Sequence, residues 1–414
     1  MPLAALPAGS ALVGGAVRDG LLGRQLERPD LDLVVPGDAI ALSRALARRL
    51  GGSPVVLDGE RSIARLVLRG WTVDLARRMG PDLETDLGRR DFSVTAMALT
   101  LDAPHRLVDP LGGLADLESR RLRALSEANL LDDPLRLLRG IRLASELDFA
   151  IEPRTWGWIR AHHSLLRSVA AERVLAQLER IAATPAGERG LARAWAAGLL
   201  PTRADSPSAA ALRRCSQNRA SRRGLSPEEQ AWALPLARLA AVLDGEDLEA
   251  LRASRRLQQR ARGLRRWRRR LEQIALEPSR DGAAGAPLSA PPHGGSPPRL
   301  AALDETERLA LQRELEADLP ALMPQLEADE ALAALRRWRD PQDPLFHPRP
   351  PLDGALLQRE LDLKPGPGLG LLLQHLTRER AFGRLPAAAT DPGHHQQVLT
   401  CARQWLARRG ERCD

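Results

Sequence analysis

Tyrosine is absent from the sequence, and aromatic residues make up only 3% of it. An aromatic stacking platform for single-stranded nucleic acid is therefore not expected. Cysteine is also scarce. Cys215, Cys401 and Cys413 are far apart and odd in number. They suggest neither a disulfide framework nor a zinc site, and fit a reduced, cytoplasmic protein. No run of 18 apolar residues occurs, so no membrane span and no membrane partner are expected. The first residues lack a basic stretch followed by an apolar core, so no secretory signal is expected. Lysine is nearly missing: Lys364 is the one example, and arginine carries the rest of a net charge of +8. That arginine bias fits a GC-rich genome and proves little alone, but the charge balance favours a polyanionic partner.

What is present is enough for packed cores. Hydrophobic residues make up 43% of 414 residues, a length that suggests two to four domains. From residue 10 to about 110, short β-rich runs alternate with helical ones. "ALVGG", "LDLVV", "PVVLD", "IARLVLRG", "WTVDLA" and "HRLVDP" read as strands, and "DAIALSRALARRL" as an amphipathic helix. After about residue 115 nearly every segment has helical periodicity. The Pro-, Gly-, Ala- and Ser-rich stretch 276–300 reads as a flexible linker or long loop. There is no internal repeat. The expected fold is α+β and multidomain, with a small mixed-sheet head followed by a long all-α body.

The stretch "ALVGGAVRDGLLGRQLERPDLDLVV" (11–35) concentrates the chemistry. Gly14 and Gly15 sit at a strand-to-helix turn, where bare backbone N–H groups can approach a phosphate. Arg18, one turn in, can add a charge-assisted contact; a tight turn with a surface arginine is the plainer alternative. Residues i and i+2 of a strand share a face, so Asp30 and Asp32 point one way while Leu31 and Leu33 point into the core. Two adjacent carboxylates perturb each other's ionisation. A divalent cation removes that penalty, and hard oxygen ligands suit Mg²⁺.

"LVGGAVRDGLLG" followed by "DLDLVV" resembles the head of the DNA polymerase β-like nucleotidyltransferases, specifically the bacterial class II tRNA nucleotidyltransferases and their poly(A) polymerase relatives. Further stretches match in order. "RRDFSVTAMAL" (89–99) looks like the family's sugar-binding motif, with Arg89, Arg90 and Asp91 in place. "DPLGGLADLESRRLRAL" (109–125) resembles its head-to-neck connector. "LDDPLRLLRGIRLASELDF" (131–149) resembles the helix that reads the incoming base, with Asp132 where the family often has glutamate. "SVAAERVLAQLERI" (168–181) resembles the helix-stabilising motif that follows, and "PLDGALLQRELDLKPGPGLGLLLQHL" is a weaker match to the tail. The resemblance implies a catalytic head (1–125), a base-reading helical neck (126–185), an RNA-binding body (186–275), the linker (276–300) and a tRNA-binding tail (301–414). The implied activity is addition of C and/or A of the CCA end of tRNA from CTP and ATP, with release of pyrophosphate. Oligomeric state is left open.

The residues carry this chemistry. A 3′-hydroxyl attacks an α-phosphate in line, usually between two metal ions held by carboxylates. Asp30 and Asp32 are the expected metal ligands; Asp74, in "TVDLA", is either a third carboxylate or a structural charge. Gly14, Gly15 and Arg18 are assigned to the triphosphate. Arg90 and Asp91, ahead of an apolar run read as a helix, are placed near the ribose. Asp133, Arg136, Arg139 and Arg142 are spaced three apart on one helical face, with Leu135, Leu138 and Ile141 opposite. In the family, the residues matching Asp133 and Arg136 act as a protein template: the carboxylate accepts from the exocyclic amine of C or A, and the guanidinium donates to a ring nitrogen or carbonyl. Arg139 and Arg142 are expected to meet phosphates. Trp267 either stacks on a base or packs inward, with packing favoured; His162 and His163 read as ordinary residues.

Three other readings stay open: a poly(A) polymerase, a non-catalytic RNA-binding derivative, and a small-molecule nucleotidyltransferase. In full CCA-adding members a flexible loop precedes the "RRD" motif, and CC-adding members have it shortened. Here only residues 75–88 separate Asp74 from Arg89. The reading therefore leans to a CC-adding enzyme that relies on a separate A-adding partner.

Overall fold

The computed structural model describes residues 3–24, 30–201, 208–276, 299–386 and 393–410. The chain forms two compact units, 1–200 and 201–414.

The first unit opens with the expected mixed sheet. Its strands are β1 (Ala11–Val13), β2 (Leu31–Val35), β3 (Ser53–Asp58), β4 (Ile63–Leu68), β5 (Trp71–Arg77), β6 (Ala98–Thr100) and β7 (Leu107–Val108), in the order β3-β4-β5-β2-β1-β6-β7. β2 and β5 are parallel, and the other pairs are antiparallel. Helix α1 (Gly15–Leu21) follows β1, α2 (Ala39–Leu50) follows β2 and α3 (Leu83–Gly88) follows β5. Asp38 caps α2 by accepting from Ile40 N and Ala41 N, and Gly51 ends it with φ 73°. Leu46 and Ala47 of α2 pack on Leu33, Val35, Leu66, Val73 and Leu75 from one face of the sheet. Burying leucines of this kind stabilises by roughly 1.5–3 kcal/mol each. Alternation then leaves Asp32 on the other face.

One expectation fails here. The apolar run after Asp91 is not a helix: Ser93–Thr95 form a single 3₁₀ turn and Ala98–Thr100 the strand β6, paired to β1. Ala96, Met97 and Ala98 are all buried, so the run has no one-sided periodicity to separate strand from helix.

The helical part of this unit comprises α4 (Gly113–Glu118), α5 (Glu127–Asp132), α6 (Leu135–Leu147), α7 (Pro153–Ala161), α8 (Ala171–Ala183) and α9 (Gly187–Ala196). A short parallel pair, β8 (Arg121–Leu122) with β9 (Ala150–Ile151), ties the chain before α5 to the chain after α6. Leu137, Leu138 and Ile141 of α6 are fully buried. α6 starts later than the spacing suggests. Asp133 is extended (φ −141°, ψ 101°) because Pro134 follows it, and proline disfavours the helical region for the residue before it. Asp133 therefore stands ahead of the helix rather than on the face that carries Arg136, Arg139 and Arg142.

Among its described residues the second unit has helices and connecting loops and no strand. It contains α10 (Ala209–Arg214), α11 (Gln217–Arg222), α12 (Pro227–Val242), α13 (Gly245–Ala250), α14 (Arg255–Leu276), α15 (Glu305–Leu315), α16 (Leu319–Leu322) and α17 (Ala328–Trp338), then α18 (Gly354–Leu361), α19 (Pro367–Ala381) and α20 (His394–Gly410). α12 begins with a capping box, Ser226 with Glu229, and Pro at its start. Leu357, Leu372, Leu376, Val398 and Leu399 form a core of the last three helices. Some of the arginines of α14 are spent internally: Arg260 meets Asp318, Arg270 meets Glu307 and Arg266 meets Glu314, while Arg255, Arg256, Arg262 and Arg269 are exposed. Trp267 packs inward, 5% exposed, and its indole N–H donates to Glu314 (2.7 Å). The stretch expected as a linker, 276–300, lies almost wholly outside the described residues, as does Cys413. Among the described residues no helix is long and apolar enough to cross a membrane.

Candidate active site

The parallel pairing of β2 with β5 puts Asp32 beside Asp74, and β4 puts Arg65 beside Asp74 on its other flank. Residues in register share a face, so a row of charges crosses the sheet. Asp30 lies immediately before β2. Burial raises the Asp32 carboxyl above the usual carboxylate range, Asp74 and Asp30 push the same way, and Arg90 and Arg139 pull it back. Asp74 is held elsewhere: its carboxylate accepts from Nε and Nη2 of Arg65, at 2.8 and 2.9 Å. Among the described residues no three His, Cys, Asp or Glu side chains converge as a ready ligand set. What the site offers is a pair of carboxylates, Asp30 and Asp32, neither of which has a direct ion-pair partner among the described residues, with Arg90 and Arg139 acting on Asp32 only at longer range. That donor set fits a hard divalent cation which takes its remaining ligands from water and substrate phosphates.

The glycine turn closes over the same point. Gly14 has φ +73°, and a Cβ there would lie 3.1 Å from Asp32 Oδ2 and 3.5 Å from Arg90 Nη1. Only a glycine backbone fits between them without strain. Arg90 reaches Asp86 at 3.4 Å, and its buried Nε has no hydrogen-bond partner. Arg18 is almost fully buried and donates twice to Asp19, both at 2.9 Å, with Glu146 at 3.9 Å. Glu146 also accepts from Arg142 (2.7 Å), whose Nε donates to Gln177. Arg139 donates to Asp91 (2.7 Å), which also accepts from Thr95 and the Phe92 N–H. Burial alone would raise the Asp91 carboxyl, but the Arg139 charge and these bonds hold it below the usual range. The arginines expected at phosphates, Arg139 and Arg142, thus have carboxylate partners in this structure.

At the other end, a cleft of about 470 Å³ is lined by Arg61, Met79, Asp86, Arg89, Arg90, Asp132, Asp133 and Arg136. It brings the "RRD" arginines to the residues expected to read a base, and Arg90 is common to both ends. Asp133 accepts from its own helix at Leu135 N (3.2 Å) and from Arg173 of α8 (2.9 Å). Arg136 donates to the carbonyls of Arg89 (3.2 Å) and Asn129 (2.5 Å). A larger apolar hollow, about 590 Å³, lies on the opposite face among Leu12, Leu33, Leu68, Trp71 and Val73. It has no carboxylate and no part in this chemistry. His162 contacts Glu127 at 2.5 Å, outside the cleft lining.

Sequence reasoning did not single out Arg65, Asn129, Glu146 or Arg173. Arg173 and Asn129 lie within or beside quoted motifs, but their partners are 40 and about 40 residues away, so no local spacing pointed to them. The connection before the "RRD" motif is short and pinned. Between β5 and α3, Arg78 N donates to Val35 O (2.8 Å) and Met79 N to Asp86 (2.8 Å).

Comparison with known proteins gives matches over both parts. Residues 70–123 match the poly A polymerase head domain, and 148–202 a probable RNA and SrmB-binding site of polymerase A. A CC-adding tRNA nucleotidyltransferase of Synechocystis sp. is 46% identical over 198 residues, 48% of this chain and 47% of that protein. An A-adding tRNA nucleotidyltransferase of Deinococcus radiodurans is 43% identical over 204 residues, 48% of this chain and 46% of its own length. In these two alignments the chain spans about half the length of the relative. A CCA-adding enzyme of Streptococcus pyogenes is 30% identical over 390 residues, 90% of this chain and 89% of that one. Among solved structures, the Bacillus stearothermophilus CCA-adding enzyme in complex with CTP matches with a TM-score of 0.70 at 20% identity, covering 98% of this chain and 95% of the other.

Proposed function

The chain belongs to the class II tRNA nucleotidyltransferases, and from that premise we propose that it adds cytidines from CTP to the 3′ end of tRNA, releasing pyrophosphate. The observation that carries the reading is the single cleft in which Arg89 and Arg90 face Asp133 and Arg136, with Asp32 and Gly14 at its Arg90 end. Asp30 and Asp32 would hold Mg²⁺. The ion would lower the pKa of the attacking hydroxyl and neutralise the leaving pyrophosphate. Gly14 N–H and Arg18 would receive the triphosphate, with Arg18 exchanging its carboxylate partners for phosphate oxygens. Asp133 would accept from the amino group of cytosine and Arg136 would donate to its ring nitrogen or carbonyl. Uracil presents a carbonyl where that amino group should be and leaves Asp133 facing an acceptor.

Cytidine rather than the full CCA end is supported by the connection at 78–82. A change from CTP to ATP needs a second arrangement of the reader and something to move it. Here that connection is short and hydrogen-bonded to β2 and α3. A separate A-adding enzyme would then finish the tRNA. Cytoplasmic location and a tRNA-contacting second unit go with this reading.

The test offers tRNA transcripts lacking A, CA or CCA to the purified protein with CTP or ATP separately, and sequences the products. Addition of two cytidines and no adenosine is expected. Efficient addition of A to a tRNA ending in CC would replace the CC reading with full CCA or A addition, the activities named for the Streptococcus and Deinococcus relatives. ATP-only extension of many RNAs would make it a poly(A) polymerase.

A further inference from the structure

The backbone carbonyls of Gly88, Arg89 and Arg90 are three in succession, at and just after the C-terminal end of α3. Helix ends leave such carbonyls without helical partners. Here all three are capped by residues from the helical part of the unit. Asn129 Nδ2 donates to Gly88 O (2.8 Å) and Arg90 O (2.6 Å), and Arg136 donates to Arg89 O (3.2 Å). Arg136 donates as well to the carbonyl of Asn129 itself (2.5 Å). The amide orientation is fixed by its surroundings, since Nδ2 faces two acceptors while Oδ1 accepts from the Ser126 hydroxyl (2.9 Å). The same hydroxyl accepts from Asn129 N and starts α5. Asn129 thus closes a ring of bonds that joins the "RRD" backbone to the guanidinium of Arg136.

Resting on the function proposed above, we infer that Asn129 is a positioning residue that sets the reach between the ribose end of the cleft, at Arg90, and the base-reading end, at Arg136. It touches no substrate. Its two side-chain bonds hold the backbone from which Arg90 projects and whose Arg89 carbonyl accepts from Arg136; the backbone carbonyl of Asn129 accepts from the same guanidinium. Sugar choice and base choice then both depend on where the Asn129 side chain holds residues 88–90. Loss of the Asn129 donors lets residues 88–90 shift relative to α6, and both discriminations degrade together.

The experiment measures kcat/KM for CTP, UTP and dCTP on a tRNA lacking its CCA end, with the full-length wild type, Asn129→Ala and Asn129→Asp. The aspartate variant is nearly isosteric, but it cannot donate and turns an oxygen toward the Gly88 and Arg90 carbonyls. In both variants the CTP/UTP and CTP/dCTP ratios are expected to fall together by about fivefold or more, with melting temperature within a few degrees of wild type. If Asn129→Ala fails to unfold cooperatively, Asn129→Asp decides. Ratios that stay at wild-type values, whatever happens to kcat, reduce Asn129 to a helix cap and overturn the inference. A fall in one ratio alone overturns the coupling. A wild-type chain that transfers no cytidine overturns the underlying reading and the inference with it. Wild-type discrimination retained in both variants overturns the inference only.

Discussion

The two ends of the cleft treat charge in opposite ways. At the sheet end, Asp32 is half-buried beside two further carboxylates, its pKa is raised, and the nearby Arg90 keeps a buried Nε without a partner. At the helical end the two base-reading residues already have partners within the fold: Asp133 with Arg173, and Arg136 with two carbonyls. The first end is unfinished chemistry, waiting for positive charge and phosphate. The second is finished structure, held rigid before any nucleotide arrives. A reader of bases gains from preorganisation, because a template that moves freely tolerates the wrong base. A metal site gains from the reverse, since a carboxylate already paired has little left for a cation.

The largest expected effect lies at the unfinished end. Asp32→Ala should reduce CTP transfer by more than a thousandfold, since loss of a metal ligand removes several kcal/mol of transition-state stabilisation. Its melting temperature should stay level or rise, because a half-buried carboxylate that faces two like charges is removed. Transfer surviving above about a tenth of wild type would break the comparison there. Next, Asp133→Ala should let UTP compete, raising UTP use relative to CTP by about tenfold or more. Arg173→Ala should do the same more weakly, as Leu135 N still holds the carboxylate. Equal loss for all nucleotides would remove Asp133 from the base-reading role.

Stability separates the ends as well. Asp91→Asn should cost about 2 kcal/mol at pH 7, below the value for a fully buried pair because Arg139 keeps some solvent. The Asp91 carboxyl sits below its ordinary value in the fold. Its stabilisation is therefore complete above its unfolded pKa, about 3.9, and is lost as the pH falls through the folded value. The gap between wild type and Asp91→Asn, read from denaturant midpoints, should close on acidification below about pH 4. A gap independent of pH would mean that the pair contributes nothing electrostatic. The smallest effect is at Arg65, whose side chain is 45% exposed. Arg65→Met should change stability by less than about 1 kcal/mol. It should also lower the Mg²⁺ concentration for half-maximal transfer if Asp74, once released, joins the metal. An unchanged Mg²⁺ response leaves Asp74 a structural charge.

The sheet end was readable from sequence because its logic is local. Period two places Asp30 and Asp32 together, and a double glycine after an apolar run marks the turn. The helical end was read half correctly. The three arginines of α6 and the buried leucines follow the helical period. Pro134 was visible, yet its effect on the residue before it outweighed a spacing that ran through Asp133. β6 was missed because the run leading into it, 91–98, is buried throughout and has no period to read. The Arg142–Glu146 pair, four residues apart in α6, was legible in the helical spacing but was passed over. The pairings with Arg173 and Asn129 depend on how α5, α6 and α8 pack, and no spacing within one helix encodes them.

Gly14 and Gly15 look interchangeable as letters, but their neighbourhoods make them unequal. At Gly14 the positive φ strains any side chain and a methyl group would press on Asp32 Oδ2 at 3.1 Å, whereas Gly15 has an ordinary backbone and its nearest neighbour, the Arg18 guanidinium, at an ordinary 3.7 Å. In terms of mutational tolerance, one half of the doublet is a fixed letter and the other is open to alanine. A library selected for folding across this turn would therefore keep Gly14 while position 15 accepts alanine, and only a selection for transfer would show whether the triphosphate also needs Gly15 bare.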